Sequence, residues 1–140
     1  SYASKHYEPE YILDFATLTG AVLVALGHIA TGVMGTDDEL MKKVKSASES
    51  TGEKVWEFPL WPEFCKQIKS NIADIKNMGT PPQAGTIAGG AFLKEFVDPK
   101  IPWVHFDIAG TAWGVKPDSV NPKGSATGVG VRLVLDMFGV

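Results

Sequence analysis

LDFATLTGA, residues 13–21, decides how this chain is read. Tyr11, Ile12, Leu13, Phe15 and Ala16 form an apolar run broken only by Asp14, the pattern of a buried strand. The run breaks into Thr17-Leu18-Thr19-Gly20, and a second apolar stretch, GAVLVALG (20–27), begins at once. Two hydroxyls and a glycine at the exit of a buried strand have two readings. They punctuate a turn, or they leave small side chains and bare backbone for a ligand to touch. Residues 20–27 are a short helix or a second strand, and length does not decide between them.

Working outward, IATGVMG (29–35) reads as another buried strand. Thr36-Asp37-Asp38-Glu39 is a helix start, with acids in the first turn where the macrodipole favours them. Leu40, Met41, Val44 and Ala47 give the apolar face of a helix over 37–51, and Gly52 is its cap. KVWEFPL (54–60) is extended, and Pro62 opens a helix over 62–70. Residues 71–86 read as a loop. IAGGAFLKEFV (87–97) is an apolar helix whose Gly89-Gly90 pair admits a close neighbour. WVHFDIAG (103–110) is a strand, 110–128 a Gly/Pro/Ser-rich loop, and 129–140 a helix with Val131, Val134, Leu135 and Phe138 inward. Strands alternate with helices and are apolar throughout, so the expected fold is α/β: a layered α/β/α domain with a mixed, largely buried sheet. In such sheets ligands bind at the carboxyl ends of strands. Two strands here end alike, in LDFATLTG and FDIAGTA, and the 71–79 loop offers a third wall.

Composition narrows the function. Of 140 residues, 44% are hydrophobic and 21% charged, enough for a core and against disorder. Net charge is −3 with Lys and Arg scattered, so nucleic-acid contact by this segment is not expected. The single cysteine, Cys65, excludes an internal disulfide and fits a reducing compartment. No apolar stretch is long enough to span a bilayer. Tyr2, Ala3, His6 and Tyr7 are spaced like the last turns of a helix that Pro9 stops, so we expect a piece of a larger protein, cut within a helix.

Catalytic equipment is sparse. There is no HExxH, CxxC, GxSxG or phosphate-binding glycine loop. His6, His28 and His105 are far apart in sequence, and His105, between Val104 and Phe106, reads as structural. Asp14 and Asp107 either pair as carboxylates or hydrogen-bond neighbouring turns. Asp74 is open to either reading, and Cys65, beside Phe64 and Ile68, reads as a core thiol. The residues present outline walls of a site without its reactive groups.

In series, DFATLTGAVLVALG, TGVM, ADIKNMG, AGTIAGGAFLKEF and WVHFDIAGTAW resemble the catalytic domain of the leucyl aminopeptidases, two-metal exopeptidases of the cytosol. The likeness runs from Leu13 nearly to Val140. It implies that residues 1–140 are the C-terminal portion of that domain. The family's signature segment, with its metal-binding Asp and Glu and catalytic arginine, is not in this chain; the resemblance puts it just upstream of residue 1, with the catalytic lysine further upstream. By the same likeness Leu18 offers its carbonyl to the substrate amide and Gly20 its N–H. Thr17 and Gly20 border the pocket for the N-terminal side chain, and Met78 and Ala109 supply apolar walls. The implied activity is metal-dependent release of N-terminal, leucine-like residues from peptides. Two divalent ions, Mn or Zn, serve the parent, and no catalytic or metal-binding residue is expected in this chain. The resemblance also implies a cytoplasmic homo-oligomer, a hexamer, with no membrane partner. The competing reading is a non-catalytic assembly or DNA-associated module of the same family.

On this reading the isolated chain does not hydrolyse leucyl anilides, and added manganese restores nothing. Turnover by the purified chain at the rate of a full-length homologue is the result that overturns it.

Overall fold

The computed structural model describes residues 1–116 and 123–140. Four short strands, β1 (Ile12–Ala16), β2 (Thr31–Gly35), β3 (Val55–Glu57) and β4 (Trp103–Asp107), form one sheet in the order β1-β4-β2-β3. β1 runs parallel to β4, β4 antiparallel to β2, and β2 parallel to β3. The helices are α1 (Tyr2–His6), α2 (Gly20–Leu26), α3 (Asp38–Thr51), α4 (Pro62–Cys65), α5 (Gly85–Lys94) and α6 (Val131–Met137). The ambiguous apolar stretch is therefore the helix α2. Thr19 starts it, its hydroxyl accepting from Val22 N–H at 3.3 Å.

Side chains alternate across each strand. On one face Val33, Val104 and Phe106 pack against Leu40, Met41, Val44 and Ala47 of α3 and Leu133 of α6. Phe15 stacks on Phe106 with ring centres 4.2 Å apart. On the other face lie α2 and α5. A Cβ on Gly32 would meet Val22 and Phe58, and one on Gly90 would meet Met34 Sδ at 2.5 Å. Gly90 is thus what lets α5 lie directly on the sheet, while Gly89 lets it approach the turn after β1. The chain is a three-layer α/β domain with a mixed sheet, as its pattern predicts.

Helix α3 matches the expected face and caps: Asp37 accepts from Leu40 N–H at 2.8 Å, and Gly52 closes it at φ 73°. Other elements differ. β1 is half-buried along its whole length because it is an edge strand with one neighbour. The 62–70 helix shortens to α4 and a 3₁₀ turn over Lys66–Ile68, and α5 begins two residues before the expected start. The 71–86 loop includes a bridge between Lys69 and Ile75. Of the 110–128 loop, residues 117–122 lie outside the described residues.

The final helix is rotated from expectation. Leu133 is its buried residue, with Val134 and Met137 beside the core, while Val131, Leu135 and Phe138 face outward. The cause is Glu53, whose largely buried carboxylate receives the N–H groups of Gly130, Arg132 and Leu133. α6 has no side-chain cap of its own. A carboxylate fixed from the end of α3 therefore sets both where the helix starts and which way its first turn faces.

β1 keeps one edge free, and exposed Val131, Leu135 and Phe138 form an apolar strip near Phe15. Free strand edges and contiguous apolar surface promote association. The isolated chain should self-associate at high concentration, and sedimentation showing a clean monomer is the contrary result.

Candidate functional site

Because β1 and β4 are parallel, their exits lie side by side, with Ala16 in register with Asp107. The TLTG turn and the DIAG turn therefore meet. Asp107 is fully buried and joins them. Its Oδ1 accepts from Leu18 N–H at 3.2 Å, Thr19 N–H at 3.4 Å and Ala109 N–H at 3.3 Å. Its Oδ2 accepts the Thr19 hydroxyl at 2.6 Å. With that proton committed, the Thr19 oxygen is left to accept, from Val22 N–H and from the Thr86 hydroxyl at 3.3 Å. Four donors compensate the burial of one carboxylate, which unpaired would be strongly unfavourable.

The DIAG turn is held from its other side as well. His28 Nδ1 lies 2.6 Å from the Gly110 carbonyl, and since a carbonyl only accepts, that ring nitrogen carries a proton and donates. Thr31 and Thr111 share a 2.7 Å hydroxyl contact. A Cβ on Gly110 would sit 2.1 Å from the Gly27 carbonyl oxygen, so only glycine fits.

Beside the paired turns lies a cavity of about 440 Å³, in the range of small-molecule sites. Leu18, Thr19 and Gly20 form one wall, Asn77, Met78 and Gly79 a second, and Gly85, Ala88, Gly89 and Phe92 of α5 a third. Pro81, Pro82 and Gln83 close the rim. No ionisable side chain is among the lining residues.

Of the residues singled out from sequence, Leu18, Gly20 and Met78 share this cavity, Met78 being 67% exposed. Thr17 and Ala109 are not on its lining: Thr17 is exposed beside it, and Ala109 is 6% exposed under the DIAG turn. Asp14 and Asp107 do not form a carboxylate pair. Asp14 receives Trp103 Nε1–H at 2.5 Å and His105 Nδ1–H at 2.6 Å, while Asp107 holds the two turns. His105 is fully buried in β4, a structural placement. Cys65 is part-buried, its thiol toward the Leu60 carbonyl. The sequence reading named Thr19 only as one hydroxyl of the turn and His28 only as an isolated histidine, and it passed over Thr86. Thr19 had a signal, a hydroxyl just ahead of an apolar run; Thr86 and His28 had none, since their partners are distant in sequence.

Among the described residues no group of three or more His, Cys, Asp or Glu side chains could hold a metal ion. Asp107 is ringed by four protein donors, and Asp14 is engaged by Trp103 and His105 on the neighbouring strand, so the two strand carboxylates do not converge on a shared site of the kind a two-metal centre needs. Among the described residues no helix is long and apolar enough to cross a membrane.

These features define an α/β domain with a ligand-sized, uncharged cavity beside the carboxyl ends of β1 and β4. Residues 1–135 match the cytosol aminopeptidase family, catalytic domain, and the chain belongs to that family. It is 51% identical over 138 residues to a probable cytosol aminopeptidase of Syntrophotalea carbinolica, covering 99% of this chain and 27% of the relative. It is 50% identical to one from the archaeon Cenarchaeum symbiosum, covering 96% and 28%. A solved structure of a tomato leucine aminopeptidase mutant superposes with TM-score 0.85 at 40% identity, covering 97% of this chain and 25% of that one. The chain thus spans about a quarter of the length of these proteins.

Gly110→Ala tests the clamp on the DIAG turn. The new methyl meets backbone, which cannot yield as a side-chain tip does, so about 1–3 kcal/mol of stability should be lost. Thermal melting that shifts by less than a degree would show the turn to be pliable.

Proposed function

We propose that this chain is the C-terminal portion of the catalytic domain of a longer aminopeptidase that releases leucine-like N-terminal residues from peptides. Its part is to supply walls for the substrate. The observation that carries the reading is the cavity beside the TLTG turn: uncharged, apolar on the α5 and Met78 sides, with bare backbone at Leu18 and Gly20. Such a lining suits an aliphatic side chain and disfavours a charged one. Backbone along one wall suits an extended peptide, because main-chain hydrogen bonds bind without choosing a side chain. We take Leu18 C=O and Gly20 N–H as the groups that meet it, with Thr17 and Ala109 completing the pocket once the rest of the protein is in place.

The two divalent ions that the family likeness implies, Mn or Zn, are assigned to the remainder of the longer protein. The same holds for the lysine and arginine of the reaction. The cytosol aminopeptidase names of the relatives support a cytoplasmic setting. A homo-hexamer is the assembly we propose.

Gly20 gives a direct test. A Cβ there meets nothing within 4 Å, so Gly20→Ala fits the fold. In the full-length enzyme the methyl stands where the peptide must pass. Overpacking of about 1–3 kcal/mol translates to roughly tenfold to a hundredfold in kcat/KM. We expect that loss on leucyl peptides with an unchanged melting temperature. Full activity in a stably folded Gly20→Ala enzyme would remove the turn from the substrate path.

A further inference from the structure

We infer that Asp107 is a positioning residue for peptide binding: its buried carboxylate turns the Leu18 carbonyl toward the substrate. The inference rests on the proposed peptide-binding role of the TLTG turn and adds how that turn is aimed.

The geometry follows from peptide planarity. In a trans peptide unit the N–H and C=O point in opposite directions. Thr19 N–H and Leu18 C=O belong to the same unit. Thr19 N–H points inward to Asp107 Oδ1, so Leu18 C=O points away from the carboxylate, and Leu18 is one of the residues bordering the cavity. Leu18 N–H also points to Oδ1, which turns the preceding carbonyl, that of Thr17, outward in the same way. The Thr19 hydroxyl on Oδ2 locks the carboxylate's own rotation, and Thr86 from α5 supports that hydroxyl. Asp107 is fully buried, so it does not touch substrate and acts through the turn. A neutral amide in its place keeps an acceptor for the three N–H groups but presents N–H₂ to the Thr19 oxygen. That oxygen already accepts twice and cannot take a third donor, so the Thr19–residue 107 bond is lost and the lock weakens.

The test compares two substrates of the full-length enzyme: a leucyl dipeptide and its depsipeptide isostere, in which oxygen replaces the scissile N–H. Only the dipeptide can donate to the Leu18 carbonyl. We expect Asp107→Asn to lower kcat/KM for the dipeptide about threefold to tenfold more than for the depsipeptide, the scale of one hydrogen bond, with the loss in KM. Thr19→Val removes the same lock from its other end and should reproduce the selective loss, while Thr19→Ser, which keeps the hydroxyl, should retain wild-type kinetics on both substrates. If Asp107→Asn does not fold, the Thr19 pair decides the matter. Equal losses on both substrates, tracking a fall in melting temperature, would make Asp107 merely structural and overturn the inference. Gly20→Ala is run in parallel. If it impairs both substrates while the Asp107 and Thr19 variants show no selectivity, the inference alone fails. If it impairs neither, the peptide-binding role of the turn falls and the inference with it.

Discussion

One buried carboxylate organises the cavity end of this domain. Asp107 stands at the last position of a central strand, where water cannot reach it, and a charge there is tolerable only if donors surround it. Three backbone N–H groups and one hydroxyl do so, and three of those four donors come from the turn after β1. The conformation of that turn is therefore set from within the sheet. β1 and β4 must be parallel and in register for this to work, and they are. The arrangement places backbone, the least variable part of any protein, at the edge of the cavity.

The rest of the site depends on close approach. Gly90 lets α5 rest on Met34, and Gly89 brings the same helix against Leu18 and Thr19. A Cβ at Gly89 would lie 2.9 Å from both of those side chains. The cavity walls are thus mechanically linked: α5 cannot move toward the sheet without pressing on the turn, and the turn is held by Asp107.

Much of this was legible in the sequence. Continuous apolar strands between amphipathic helices announced the layered α/β fold, and Asp37, Gly52 and the apolar face of α3 were readable because caps and periodicity are local. The break at the exit of β1 was readable because hydroxyls and glycine interrupt an apolar run there, and that turn borders the cavity. The partners of Asp14 and Asp107 were not, because strand order brings together residues separated by about ninety positions. The facing of α6 was not, because Glu53, from outside the helix, binds the N–H groups of its first turn. β1 read as buried because its residues are apolar; it is an edge strand in this chain, and apolar composition does not tell an edge from a centre.

The strand order has a consequence for synthesis. β4, last of the strands to be made, lies between β1 and β2, which do not pair with each other. Until residues 103–107 have left the ribosome, β1 has no neighbour within this segment and Leu18 has no acceptor for its N–H. The nascent chain must hold an apolar strand and an undirected turn in waiting while some ninety residues are added, the long-range closure that makes folding slow and exposes chains to misassembly. The wall that faces the cavity is thus among the last parts of the segment to take shape.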